Sequence, residues 1–414
     1  MQIQPDRLWD ALSSLGEVGA YDDARSGLRG VNRLALTDAD AAGRRHVIDA
    51  MRALNLSITI DQIGNVYGRR AGREPDLAPV MMGSHIDSVP TGGRFDGCLG
   101  VLGGLEILAT LDDHGVLTRR PLEVAFFTDE EGCRFGTDML GSAVATGRLD
   151  LEHVYGLRDH QGLTVRDELE RIGFLGEVDP VRAPPHAYIE THIEQGPVLA
   201  AAGAQIGVVT GVQGISWSEL TIYGMSSHAG TTPTPMRRDA GLVAARINLA
   251  MRAMATSGRF GQLRATMGCI QPYPGLVNIV PGRVLATVDL RNPLEALLVM
   301  AEEALRETIA EIAAEERVEV SARQTARTPP VDFDPRLVAA VAASAEAQGL
   351  RHMEIVSGAG HDAQEWARRC PTAMVFVPGE RDGISHNPRE FSTAEACANG
   401  VNTALAVVLE LAEG

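Results

Sequence analysis

Met81–Gly104 reads MMGSHIDSVPTGGRFDGCLGVLGG, and the fold turns on how this stretch is punctuated. The apolar run from Pro79 to Gly83 has the composition of a buried strand, and it stops at Ser84-His85-Ile86-Asp87. A turn rich in Pro and Gly follows. Phe95-Asp96-Gly97 then opens a segment that reads as a helix, with Leu99, Leu102, Leu105 and Leu108 on its apolar side. Ligands of open α/β sheets gather beyond the carboxyl ends of the strands, so a His at a strand end and an Asp at the mouth of the next helix can begin a metal site. His85 and Asp87 sit two apart and point the same way on an extended backbone. One can bind a cation while the other hydrogen-bonds the far ring nitrogen. Taken alone, the same residues also describe a polar surface turn.

Three further stretches bear on that choice. Leu122–Thr128 (LEVAFFT) reads as a second buried strand and runs into Asp129-Glu130-Glu131-Gly132. Adjacent carboxylates at a strand end are costly unless positive charge lies nearby, although a solvated acidic loop would fit the same residues. Ala187–Gln195 (AYIETHIEQ) puts Glu190, His192 and Glu194 on one face by the period of two, with Gly196-Pro197 as its stop. Ala373–Val377 is a last buried strand and leads to Ser385-His386-Asn387-Pro388. Together these segments direct His85, Asp96, Glu131, His192 and His386 to one rim. Three imidazoles and two carboxylates suit Zn²⁺, Mn²⁺, Co²⁺ or Ni²⁺ and not a thiolate site. A shared carboxylate would let two ions lie about 3.5–4 Å apart across a water. Glu130, beside a ligand but not needed as one, is the expected general base.

The rest of the chain supplies organisation. A length of 414 residues suggests about two domains. From about Gly214 the pattern becomes β-α-β-β-α-β. A strand spans Ile215–Tyr223 and a helix Pro235–Met254. Leu263, Ala265, Met267 and Cys269 alternate, as do Val284, Ala286, Val288 and Leu290. A helical stripe runs from Leu294 to Ile312, and Val318, Val320 and Ala322 mark the closing strand. This is the ferredoxin-like split motif. The predicted layout is an α/β catalytic domain in two parts, 1–212 and 327–414, around an inserted α+β domain, 213–326. A formal charge of −17 opposes a nucleic-acid partner, because phosphate binding needs a basic face. No apolar run reaches the roughly 18 residues of a membrane span, and MQIQPDRLWDALSSLG lacks a signal-peptide core. Five dispersed cysteines fit reduced thiols, so a cytoplasmic protein is expected. Cys98, Cys133 and Cys370 read as small buried residues. Gly358-Ala359-Gly360-His361-Asp362-Ala363 matches G-x-G-x-x-A, but it lies near the C-terminus and not in an opening βαβ unit, so a dinucleotide site is set aside.

Seven stretches in order carry a resemblance: GSHIDSVPTGGRFDGCLGVLGGLE, FFTDEEGCRFG, YIETHIEQGPVL, SSHAGTTPTPMRRDA, NIVPGRV with DLR, SGAGHDA, and FVPGERDGISHNPRE. They resemble the dinuclear-metal amidohydrolases of the M20 peptidase superfamily, in the branch of N-carbamoyl-L-amino acid amidohydrolases and allantoate amidohydrolases. The resemblance implies a metallopeptidase-like catalytic domain with a central mixed sheet, interrupted by a ferredoxin-like lid and dimerisation domain. It implies two divalent ions per subunit, with His85, Asp96 and His192 on one, Asp96, Glu131 and His386 on the other, and Glu130 as base. Gln195 is then a contact to substrate or to the metal surroundings. His228 would reach the other subunit's site in a homodimer to stabilise the oxyanion. Asn278 and Arg291 would hold a substrate carboxylate, for which the bidentate Arg fork is suited, although a surface salt bridge also explains Arg291. His361 is either a loop-orienting residue or a substrate contact. The implied reaction is hydrolysis of an N-carbamoyl-L-amino acid to L-amino acid, ammonia and CO2. Allantoate amidohydrolase, β-ureidopropionase-like and, more distantly, aminopeptidase activities are the alternatives. A carrier or sensor without turnover would need the metal ligands but not Glu130.

Overall fold

The computed structural model describes all 414 residues. They divide into two compact units, Met1–Gly211 with Asp332–Gly414, and Val212–Val331. No helix is long and apolar enough to cross a membrane.

The first unit is built on a nine-stranded mixed sheet. Four adjacent strands at its centre run parallel: Thr372–Val377, Ala187–Ile193, Val80–His85 and Leu122–Phe127. All of their residues are buried, which is why three of them read as near-continuous apolar runs; Ala187–Ile193 departs from this with Glu190 and His192 on one face. Antiparallel strands flank them, Val66–Arg70 and Ser57–Ile60 on one side and Ile206–Val212 on the other. Register sets where the functional ends fall. His85 pairs with Phe127, the last residue of its strand, and His192 pairs with Phe376, one short of the end of its own. The parallel strands therefore finish nearly level, on the same edge of the sheet.

Helices cover both faces. Cys98–Asp113 is buried from Cys98 to Leu111 and lies against Val80–His85. Glycine lets it come close: a Cβ at Gly100 would sit 2.8 Å from both Ser84 Cβ and the Thr191 carbonyl oxygen. Pro5–Gly16 and Ala394–Glu413 pack beside it. The alternation of one strand separates the two faces. Thr191 lies under the helix Ala394–Glu413, where Gly400 approaches its Cγ2. Glu190, its neighbour, accepts from the Ala363 amide at 2.9 Å on the side of the short helix Asp362–Trp366.

The second unit has a five-stranded antiparallel sheet. Arg283–Asn292 and Gly214–Tyr223 are central, with Glu319–Thr328 on one edge and Arg264–Thr266 and Ile270–Tyr273 on the other. The helices Ala240–Thr256 and Glu295–Glu316 pack on it over a core that includes Ile222, Val243, Ile247, Val284, Val288 and Leu305. Two expectations shift here. The helix begins at Ala240 and not Pro235, because the Asp239 carboxylate caps it by accepting from the Gly241 and Leu242 amides. The strand expected from Leu263 to Cys269 breaks after Thr266, where the Thr287 hydroxyl takes the Cys269 amide out of the ladder. In the first unit a short helix starts at Leu140, directly after Met139 at φ 52°.

Gly83 sits where no side chain fits: a Cβ there would lie 2.1 Å from the Ala125 carbonyl oxygen of the neighbouring strand. Backbone cannot yield as a side-chain end can. Gly83→Ala is expected to lower unfolding free energy by about 3 kcal/mol, the upper part of the usual range for overpacking. Urea denaturation of the purified variant measures it.

Candidate metal centre and active site

The level strand ends bring five side chains to one point. The Nε2 of His192 lies 3.3 Å from Asp96 Oδ1, and the Nε2 of His85 lies 3.7 Å from the same oxygen. On the other side of that carboxylate, His386 Nε2 is 3.4 Å from Asp96 Oδ2 and 3.2 Å from Glu131 Oε2. Within each trio, His85-Asp96-His192 and Asp96-Glu131-His386, the candidate ligand atoms all lie within 4.8 Å of one another. Asp96 belongs to both. The remaining ring nitrogens are anchored on main chain: His85 Nδ1 lies 3.0 Å from the Asp87 carbonyl and His192 Nδ1 2.9 Å from the Ile193 carbonyl. A carbonyl only accepts, so each ring keeps a hydrogen on Nδ1 and turns Nε2 to Asp96, the usual presentation of a metal-ligating imidazole.

The backbone around this point is strained. Asp129, Gln195 and His386 have φ values of 54°, 56° and 55°, in the left-handed region that non-glycine residues rarely occupy. Each follows one of the central strands or the loop beyond it. Such strain persists only where the surroundings hold it, and it concentrates at functional sites.

Charge is equally uneven. Burial, the largest influence on Asp96, raises it, but hydrogen bonds with His192 and His386 outweigh that and hold its carboxyl well below the usual range. Burial lowers His192, yet the bond to Asp96 wins and takes the ring up to about 9. Hydrogen bonds to Asp96 and Glu131 lift His386 to about 11. A site that draws protons this strongly would draw a cation by the same field, and protons compete with metal for these nitrogens. Two buried acceptors, Glu131 Oε1 and Gln195 Oε1, have no hydrogen-bond partner. Unsatisfied buried acceptors are costly, and a divalent ion beside the first would satisfy it. The donor set fits a borderline metal such as zinc or manganese. Glu130 is 7% exposed, with Oε2 3.5 Å from His85 Nε2. Burial, then Asp362 and Glu131, push its carboxyl well above the usual range.

The other expected residues divide between the units. Gln195 is at the site, its Nε2 donating to Asp96 Oδ2 at 2.8 Å. His361 is buried behind it, its ring 4.5 Å from that of His192 and its Nε2 2.9 Å from the Ser357 hydroxyl. Burial and His192 lower it well below the ordinary histidine range. Asp87 is present, but its main-chain oxygen and not its carboxylate holds the His85 ring; the nearest carboxylate oxygen is 3.7 Å away. That carboxylate instead accepts from the Glu130 and Glu131 amides, both at 3.3 Å, and so fixes the acidic loop. Glu194 also departs from its expected face: it lies past the strand end and caps Val198–Ala202 through the Val198 and Leu199 amides. His228, Asn278 and Arg291 belong to the second unit. His228 is exposed, on a two-residue strand paired with Ile279–Val280, and its Nδ1 accepts from the Gly230 and Thr231 amides at 3.0 and 3.2 Å. Its ring hydrogen therefore stands on Nε2. Arg291 is gripped by Asp289 at 2.9 Å and lies over Trp217. Of the cysteines, all free, Cys98 is buried as expected, whereas Cys133 is exposed and Cys370 half-buried.

Sequence reasoning passed over Glu390, Ser385 and the role of Glu190. Glu190 takes hydrogen bonds from Ser84 at 2.6 Å and Tyr188 at 3.2 Å, which fixes the strand beneath His192. A fully buried carboxylate among apolar residues was the available signal.

Residues 81–410 match the model of peptidase family M20/M25/M40. The chain is 41% identical to an N-carbamoyl-L-amino-acid amidohydrolase of Rhizobium meliloti, over all of this chain and 97% of that one. It is 38% identical to an N-carbamoyl-L-amino acid amidohydrolase of Geobacillus stearothermophilus over the full length of both. A crystal structure of a hydantoinase/carbamoylase family amidase from Burkholderia multivorans superposes with a TM-score of 0.91 at 45% identity, covering 100% of this chain and 99% of that one.

Gly97, at φ 65°, separates Asp96 from its helix, and a Cβ there would lie 2.4 Å from His85 Nε2. Gly97→Ala is expected to destabilise the protein by about 1–3 kcal/mol through backbone strain alone. The same substitution would push the His85 ring away from Asp96. Thermal unfolding measures the first effect, and the imidazole resonance of His85 reports the second.

Proposed function

The chain belongs to peptidase family M20/M25/M40, and from that footing we propose that it is a dinuclear-metal amidohydrolase. Its substrate is an N-carbamoyl-L-amino acid, cleaved at a ureido C–N bond to L-amino acid, ammonia and CO2. The observation that carries this reading is Asp96 shared between two ligand trios with Glu130 beside them. The names of the relatives and their full-length match support the substrate class.

His85, Asp96 and His192 would hold one ion, and Asp96, Glu131 and His386 the other. When bound, such ions supply Lewis acidity at the ureido oxygen and make an adjacent water acidic. The chain's own residues do the rest. Glu130 takes a proton from the attacking water as its oxygen bonds to the ureido carbon. It returns that proton to the nitrogen as the C–N bond breaks, and the carbamate released loses CO2. His228 presents Nε2–H to the developing oxyanion. In this reading it comes from the second copy of a homodimer, with Val212–Val331 serving as lid and dimerisation unit. A preorganised donor of this kind is worth about 3–4 kcal/mol of barrier. Asn278 and Arg291 hold the substrate carboxylate, and Asp289 sets the plane of the Arg291 fork. Gln195 orients Asp96 and offers Oε1 to the substrate amide. Five free thiols suit a cytoplasmic location.

The test is ammonia release from N-carbamoyl-L-amino acids, their D-enantiomers and allantoate, with and without chelator. Activity on the L-series that chelator removes, and that Mn²⁺, Zn²⁺, Co²⁺ or Ni²⁺ restores, is the expected result. Preference for allantoate would move the protein to the allantoate branch, and no hydrolysis of any of them with metal present would overturn the proposal. A second measurement isolates the base. Glu130→Gln should keep the metal content of the wild type while kcat falls about 10²- to 10⁴-fold, the usual contribution of a positioned general base.

A further inference from the structure

Glu390 is 6% exposed and is absent from both ligand trios, yet it touches the residue they share. Its Oε1 accepts from the main-chain amides of Phe95 at 3.0 Å and Asp96 at 3.2 Å. Its Oε2 lies 2.7 Å from the Ser385 hydroxyl, and that hydroxyl lies 3.0 Å from Asp96 Oδ2. Ser385 immediately precedes His386, so one carboxylate ties the loop that carries Asp96 to the loop that carries His386. Other contacts back the tie. Phe95 and Phe391, the residues flanking the two ends, meet edge to face at 5.8 Å, and Trp9 packs against both. The Thr91 hydroxyl donates to the His386 carbonyl at 3.0 Å. Gly93 leaves room for the carboxylate: a Cβ there would lie 2.3 Å from Glu390 Oε1.

We propose that Glu390 is a positioning residue that, with Ser385, fixes Asp96 so that its two oxygens face the two ligand trios at once. The inference rests on the two-metal reading above. Asp96 stands in a turn ahead of Gly97, where the Phe95 and Asp96 amides precede the helix Cys98–Asp113 and find no partner within it. Glu390 satisfies both amides and so sets the direction of the Asp96 side chain. Ser385 then fixes its rotation by pulling Oδ2 toward His386. Loss of the tie leaves His85 and His192 in place on their own strands but uncouples Asp96 from the His386 loop. The ion held by Asp96, Glu131 and His386 should weaken far more than the one held by His85, Asp96 and His192.

Competitive chelator titration with Zn²⁺, read by metal analysis of the full-length protein, tests this. Wild type should take up two ions. Glu390→Ala should retain the first and bind the second about 10- to 100-fold more weakly, the usual effect of removing a partner that orients a ligand. Glu390→Gln should restore most of the second affinity, because its oxygen still accepts both amides and its NH2 can donate to Ser385. Gly93→Ala, which displaces the carboxylate without removing any group, should weaken the second ion as Glu390→Ala does, and it serves if Glu390→Ala does not fold. Two ions bound as tightly by Glu390→Ala or Gly93→Ala as by wild type, with only the metal-free melting temperature lowered, would overturn the inference and leave the two-metal reading standing. A wild type that takes up no Zn²⁺ would overturn both.

Discussion

Everything at the site depends on one carboxylate having two oxygens. Asp96 presents Oδ1 to His85 and His192 and Oδ2 to His386, Gln195 and Ser385. A side chain in that position must be negative, short, and unable to rotate. Negative charge follows from the hydrogen bonds that hold its carboxyl well below the usual range against the opposing influence of burial. Short reach follows from its place at the mouth of the helix Cys98–Asp113. Fixed rotation follows from neighbours that come from distant parts of the chain.

The sheet exists, in functional terms, to make those neighbours coincide. Its four central strands are parallel, so their carboxyl ends share one edge, and their register brings those ends nearly level. Parallel strands with both faces covered are largely apolar, and the ligand-type side chains gather at or near the ends where they stop. The strained residues Asp129, Gln195 and His386 mark those stopping points. Chain that would otherwise run on into extended structure is turned sharply there, and the turn aims carboxylates and imidazoles inward. The electrostatic cost of gathering Asp96, Glu130 and Glu131 in a buried place is what gives the site its appetite for positive charge.

Much of this was legible in the residues. Leu122–Phe127 and Ala187–Ile193 announce themselves as buried strands, and both stop beside ionisable groups. The order of strands and helices in Val212–Val331 follows the split motif, with the short second strand broken by a side-chain hydrogen bond that no periodicity reveals. An apolar period does not reveal a helix start where a cap competes with it, as at Asp239. Asp87 shows the finer limit. Its spacing from His85 suggested a carboxylate on the ring, but the chain turns after His85, so the carbonyl meets the ring and the carboxylate meets the acidic loop. Cys133 departs from expectation too: it lies exposed in the loop just past the buried acidic residues, and an apolar residue type does not ensure burial.

By itself the sequence determined which groups were available and which segments would deliver them, because side-chain chemistry and the strand and helix periods are properties of neighbouring residues. Tertiary structure alone decided how they meet. Glu390 lies 294 residues from Asp96 along the chain, and nothing near either position says that one carboxylate will hold the other's amide. That contact is fixed by sheet order, strand register and the aromatic packing of Phe95 on Phe391. These are long-range quantities, set when the whole core closes and by no shorter stretch of the chain.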